Sequence, residues 1–155
     1  MAIAGLSSLG MIFCYGTGTT KPTSSGLTEL TRINNIGGIS LSVESIDASA
    51  ITDAITRRIA GRADTDETLN VTVNVTSATI TEWTTLISAY AALTGESQMW
   101  FELYHPSLTQ AWWFKATPPT KIPQPEVGQN ELLTVEMQLI VNEYIGLDTK
   151  VELAA

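Results

Sequence analysis

One cysteine, one histidine and a charged fraction of only 15% limit what this 155-residue chain can do. Cys14 alone permits no intrachain disulfide and leaves the redox compartment open. Metal ligation needs two or more His or Cys groups at ligand spacing, and the chain has one of each. Any Ser-His-Asp or Cys-His arrangement would have to use His105. Yet Cys14 sits in a Gly-rich segment, no nucleophile-elbow pattern occurs, and His105-Pro106 reads more simply as a turn. No pair among the sixteen acids stands out as a general acid and base. The expectation is no metal, no cofactor, no catalytic residue and no enzyme activity.

Basic residues are scarce as well: eight Lys and Arg against sixteen Asp and Glu give a net charge of −8. Binding nucleic acid needs Lys/Arg clusters that displace phosphate counterions, so DNA is expected at most as a neighbour that is not gripped. No apolar run approaches the roughly 20 residues that cross a bilayer, and no membrane partner is expected. The opening MAIAGLSSLGMIFCYG lacks a basic region and is interrupted by Gly5 and Gly10. It does not read as a secretory signal, and the product is expected to be made and stay soluble in a cytoplasm. GTGTTK lacks the spacing of a phosphate loop, and the acidic run at Asp64 and Asp66 lacks the spaced ligands of a calcium loop.

What is present is hydrophobic residue, 44% of a length that suits one domain with one core. So little charge on a folded monomer implies a surface largely covered in an assembly. The clearest element is the stretch 131–142, ELLTVEMQLIVN. Leu133, Val135, Met137, Leu139 and Val141 fall on every second position and share one face of a strand, with Thr134, Glu136, Gln138 and Asn142 on the other. GGISLSVESID (37–47) alternates too, with Ile39, Leu41 and Val43 against Ser40, Ser42 and Glu44. LNVTVNVT (69–76) alternates without a fault. Its two N-x-T sequons carry no glycosylation meaning without a secretory signal.

Residues 79–93, TITEWTTLISAYAAL, predict a helix, with a Thr79–Glu82 capping box and Gly95 as its stop. Trp83, Leu86, Ile87, Tyr90 and Ala91 form one stripe for packing on a sheet. QMWFELYH (98–105) and AWWFKA (111–116) predict a hairpin, and the proline-rich TPPTKIPQPEVG (117–128) an extended crossover. Between 48 and 67, Ile51, Ile55 and Ile59 recur at helical spacing in a β-branched, Thr-containing stretch that leaves loop and partial helix both open. Arg57, Arg58 and Arg62 cluster here, followed by Asp64 and Asp66.

Taken in order from about Ile36 to Leu147, these blocks (strand, charged loop, alternating strand, capped helix with Trp83, MWFELYHP, proline crossover, long strand) resemble phage major tail tube proteins, most closely those of siphophages with long non-contractile tails. The resemblance implies a mainly β fold, a small β-sandwich or barrel with one flanking α-helix, spanning the whole chain. An N-terminal arm to about residue 35 and a C-terminal tail from about residue 145 would flank it. It implies stacked hexameric rings forming a tube in the virion tail, with the chain itself, a tape measure protein, and tail tip and tail terminator proteins as partners. Genome DNA would pass without tight binding. On that footing Ser40, Ser42, Glu44, Thr134, Glu136 and Gln138 are lumen-lining candidates, since repeated carboxylates repel phosphate. Arg57, Arg58, Arg62, Asp64 and Asp66, with the tether at 16–26, are the candidates for contacts between subunits and rings. A ring subunit of a tailocin or secretion-type injection machine is the alternative. A carbohydrate-binding β-sandwich using Trp100, Trp112 and Trp113 is the rival from another class.

Overall fold

Alternation decides the main sheet. The computed structural model describes residues 5–65 and 68–153. In it the long strand expected near the C-terminus, β9 (Thr134–Thr149), carries Val135, Met137 and Leu139 on its buried face and Glu136 and Gln138 on its exposed one. The strand reaches Thr149, through positions the sequence reads as tail. β1 (Ile12–Gly18), β2 (Thr28–Leu30), β3 (Ile33–Ile36), β6 (Thr68–Asn74), β7 (Gln98–Tyr104) and β8 (Gln110–Thr117) join it in an antiparallel sheet of order β2-β1-β7-β8-β9-β6-β3. Three of these strands come from the stretch expected as an N-terminal arm. The fold is mainly β with a single α-helix among the described residues, as the sequence implies.

The sheet has a core on each side. Phe13, Phe101 and Phe114 stack at the centre of the first, with ring centroids 5.3 to 6.3 Å apart. Leu69, Val71, Val73, Met99, Met137 and Leu139 surround them. The second core, on the opposite face of β1, β7 and β8, holds Cys14, Trp100, Tyr104, Ala111 and Trp113. Trp100 and Trp113 meet edge to face at 6.4 Å, the arrangement the ring quadrupoles favour. Register shifts where β9 pairs with β8, at Trp113/Phe114 and at Lys115/Ala116, let one strand serve both sides. Val141 and Tyr144 pack on the first core and Ile145 on the second.

The helix α1 (Ser77–Ala91) closes the first core with Thr79, Trp83 and Leu86. Its capping box lies one turn earlier than expected. Thr76 is the N-cap, accepting from the Thr79 amide while the Thr79 hydroxyl accepts from the Thr76 amide. Glu82 is used elsewhere, accepting from the amide and hydroxyl of Thr31 beside β2. Gly95, at φ +64°, takes the left-handed turn that ends the segment. Residues 118–133 form no strand, in keeping with their prolines.

One glycine fixes a close approach. The segment after β1 folds back over Gly16, where an added Cβ would stand 2.7 Å from Cγ of Pro22 and 2.8 Å from the carbonyl oxygen of Gly26. Backbone cannot retreat as a flexible side chain can. Gly16→Ala is therefore expected to cost about 1–3 kcal/mol, measured by denaturant unfolding.

Candidate assembly surface

The largest departure from the sequence expectation lies at residues 41–65. The stretch holding Ile51, Ile55 and Ile59 forms no helix. Arg58–Thr65 is a strand, β5, antiparallel to β4 (Leu41–Asp47), and the two form a separate two-stranded sheet. Ile46 pairs with Ile59 and Val43 with Ala63, with a bulge between Val43 and Ser45 where Gly61 lies against Glu44. The face expected to be buried in β4 is exposed along its whole length.

The hairpin tip is preformed by local bonds. The Ser49 amide donates to Asp47 Oδ1 at 2.9 Å, the Ala50 amide to Asp53 Oδ2 at 2.8 Å and the Arg57 amide to Ser49 Oγ at 2.7 Å. The Ser49 bond holds the Asp47 carboxyl below the usual carboxylate range. Arg57 Nε lies 3.3 Å from Asp53 within the same tip. Arg58 and Arg62 are exposed and make no ion pair among the described residues. The Asp64 backbone pairs opposite Ser42, while Asp66 lies outside the described residues.

Tip and stem of this hairpin are both apolar. Leu41, Val43, Ile46, Ile51, Ile55 and Ile59 are all exposed on it, six large aliphatic side chains on one hairpin. An isolated two-stranded hairpin is marginal in water, and a patch of this kind marks a contact surface.

The other candidates occupy a different place. Glu136 pairs across from Thr72, Gln138 from Asn70 and Thr134 from Asn74, and Asn34 on β3 donates to the Asn74 side chain at 3.2 Å. This gives the outward face of β3, β6 and β9 a polar band whose named members include no lysine or arginine. Ser40, Ser42 and Glu44 lie apart from it, exposed on or beside β4. The structure therefore does not bring the six lumen candidates onto one sheet.

The three tryptophans make no exposed platform. Trp100 and Trp113 are buried in the second core, and Trp112 sits half-buried on the opposite face of β8. His105 accepts the Ser107 amide at Nδ1, at 3.0 Å, as a turn residue does. Among the described residues no group of three or more His, Cys, Asp or Glu is placed to hold a metal. Among the described residues no helix is long and apolar enough to cross a membrane.

One buried group escaped the sequence reading. Glu102 lies fully buried in the second core, its Oε1 3.2 Å from the Cys14 sulfur and its Oε2 accepting the Val151 amide at 2.8 Å. Burial pushes the Cys14 thiol far up and raises the Glu102 carboxyl above the usual range.

No protein-family model matches the chain, and no curated protein sequence does. Solved structures do. A chain of the anti-feeding prophage baseplate, solved with six-fold symmetry, superposes with a TM-score of 0.55 at 13% identity, covering 97% of this chain and 98% of that one. A chain from the tail of an empty GTA particle with C6 symmetry gives 0.59 at 11% identity, covering 95% and 100%. A chain from the sheath-tube complex of an extracellular contractile injection system in its extended state (PVC) gives 0.62 at 13% identity, covering 95% and 93%. At these identities the shared property is the fold, which extends over nearly the whole of each chain.

Proposed function

We propose that this chain is a structural, non-enzymatic subunit that assembles with copies of itself into stacked hexameric rings, forming the tail tube of a siphophage-type virion. The observation that carries the reading is the β4–β5 hairpin, which forms a sheet of its own and leaves six large aliphatic side chains exposed in the single chain. A second copy is the occupant that fits, because the fold recurs in particles with six-fold or C6 symmetry. Completing an apolar hairpin with the next subunit also removes the aggregation hazard of its free edges. The whole chain acts as one tube domain, with its N-terminal and C-terminal segments adding contacts between rings. Arg57, Arg58 and Arg62 meet acids of a neighbouring copy, Asp64 and Asp66 among them. Partners at the ends and in the bore are tail tip, tail terminator and tape measure proteins.

The bore is lined by the polar residues Thr134, Glu136 and Gln138 together with Ser40, Ser42 and Glu44 of the hairpin, brought into one wall only by assembly. Carboxylates repeated in every subunit repel phosphate and remove the counterion-release gain that would make DNA stick. Glu44→Lys with Glu136→Lys reverses the charge at two such positions per subunit. Tubes of normal length should form, and infectivity should fall about tenfold or more because DNA is held in transit. Unchanged plaque titres from virions carrying both substitutions would remove these residues from the bore.

Negative-stain microscopy of the purified protein tests the main reading. Rings or tubes of uniform bore are expected, and a monodisperse monomer at high concentration would overturn it. A second reading, the tube of an injection machine carrying another cargo, is supported by the anti-feeding prophage and the extracellular contractile injection system among the neighbours. A tape measure gene and a terminase gene beside this one would decide for the phage.

A further inference from the structure

Ladder pairing between β8 and β9 ends at Gln110 and Thr149; the Lys150 amide still donates to the Thr109 carbonyl at 3.2 Å, and from there the chain crosses the second core with no partner strand among the described residues. Two side chains of β7 take the place of that strand. Glu102 Oε2 accepts the Val151 amide at 2.8 Å, and the Tyr104 hydroxyl accepts the Leu153 amide at 3.3 Å. Acceptors two residues apart on β7 thus catch amides two residues apart on the crossing segment, the spacing that a β-ladder would use. Val151 and Leu153 pack their side chains on the core beneath. The remaining ties are peripheral. Lys21 Nζ donates to the Thr149 carbonyl at 2.5 Å and Ser24 Oγ to the Glu152 carbonyl at 2.6 Å. Lys150 Nζ donates to the Pro106 carbonyl at 3.0 Å and pairs with Glu152 at 2.9 Å.

Of the two central catches Glu102 is the carboxyl, raised by burial, while burial pushes the Tyr104 phenol further up from its already high range. The groups around Glu102 come from every element packed on it. The Cys14 sulfur on β1 lies 3.2 Å from its Oε1, and Glu29 on β2 acts on Cys14. Lys21 follows β1 and pairs with Asp148 at 3.5 Å. Tyr104 stands two residues along β7, and Lys150 and Glu152 lie on the crossing segment itself. On β8, Trp113 gives its indole N–H to the Thr149 carbonyl, while Lys115 is engaged with Glu143 at 3.0 Å and the Trp100 ring.

We infer that residues 150–153 are a releasable strap, closed over the second core while Glu102 carries a proton and lifted when its carboxylate ionises. Two influences oppose each other at this carboxyl. Burial disfavours the charge, whereas the Val151 amide, the Cys14 thiol and the Lys21 and Lys150 ammoniums favour it. Burial prevails, so Glu102 titrates above the ordinary carboxylate range. Lifting the strap returns the group to water and to that ordinary range. The closed form then holds its proton more tightly than the lifted form. Linkage fixes the sign: closure is fully favoured below the ordinary range and weakens as pH rises through the raised value.

Cys14, the sole cysteine, reports on the strap because it is fully buried in the core that the strap crosses. Its alkylation rate by iodoacetamide, divided by that of a free cysteine peptide at the same pH, measures how often the cover lifts. For the wild-type chain the protection is expected to fall severalfold between pH 5 and 8. Glu102→Gln keeps a carbonyl oxygen for the Val151 amide and carries no charge, so its protection should stay constant across that range. Equal pH dependence in the two proteins, or none in the wild type, would overturn the inference. If the variant fails to fold, wild-type hydrogen exchange decides. Protection of the Val151 and Leu153 amides, taken relative to intrinsic rates, should fall over the same range while that of Met137 holds. A uniform change along the chain would exclude a strap.

Discussion

Replacing Ile46 and Ile59 together by aspartate is expected to abolish assembly while leaving the monomer folded. The two isoleucines face each other across β4 and β5 and are 45% and 57% exposed in the single chain. Burying an isoleucine completely is worth about 1.5–3 kcal/mol, and the gain recurs at every copy of the contact. Placing two unpaired carboxylates in the same contact reverses the sign, because each would have to be desolvated. The effect on the monomer should be small, within about 0.5 kcal/mol in denaturant unfolding, because the hairpin forms a sheet of its own. Directly opposed like charges weaken a hairpin. Ile46→Thr with Ile59→Thr is therefore the control that keeps β-forming residues without charge. Sedimentation and negative-stain imaging should show tubes for the wild type, fewer for the threonine pair and none for the aspartate pair. Tubes of normal yield from the aspartate pair would place the contact elsewhere.

The same hairpin explains what the sequence hid. β6 and β9 were legible because one face of each is buried by the chain's own core, so Leu69, Val71 and Val73 and Val135, Met137 and Leu139 alternate cleanly. RIAGRADT, the sequence of β5, has no such alternation, and none of its residues 58–63 is buried. With that signal missing, the spacing of Ile51, Ile55 and Ile59 left loop and partial helix both open, whereas the chain forms turns to residue 57 and then β5. A hydrophobic pattern records the core of one chain, and a strand completed by another molecule need not carry it. The helix was legible as a stripe, but its cap was not. Thr76 and Glu82 were distinguishable only through Thr31, which is remote in sequence and claims the Glu82 carboxylate.

Glu102 is the instructive miss. In QMWFELY both alternating sets are apolar: Met99, Phe101 and Leu103 on one face, Trp100 and Tyr104 on the other. Such a strand is buried on both sides, so a carboxylate at its middle must be buried too. That inference was available from the sequence. What satisfies the group was not, since Val151 lies 49 positions away and outside any strand.

The largest loss of stability is expected from Trp83→Ala. Trp83 is fully buried and, with Leu86, fastens α1 to the first core. Beside it, Ile122, Pro123 and Pro125 of the crossover line a gap of about 80 Å³ together with Val135 and Met137. Removing the indole would enlarge that gap, and the prolines are too stiff to collapse into it. Phe/Trp→Ala changes in such settings cost about 3–5 kcal/mol, a large share of the roughly 5–15 kcal/mol that holds a domain together. At about 2–4 °C per kcal/mol for a chain of this length, the thermal midpoint should fall by about 10 °C or more. Trp83→Phe separates packing from polarity. The indole N–H has no acceptor among the described residues, so phenylalanine discards an unsatisfied donor along with part of the ring. It should cost less than half as much as alanine. If the two substitutions cost the same, the helix would not be held by the volume of this side chain. A small effect from both would mean that the crossover, and not the helix, closes the first core.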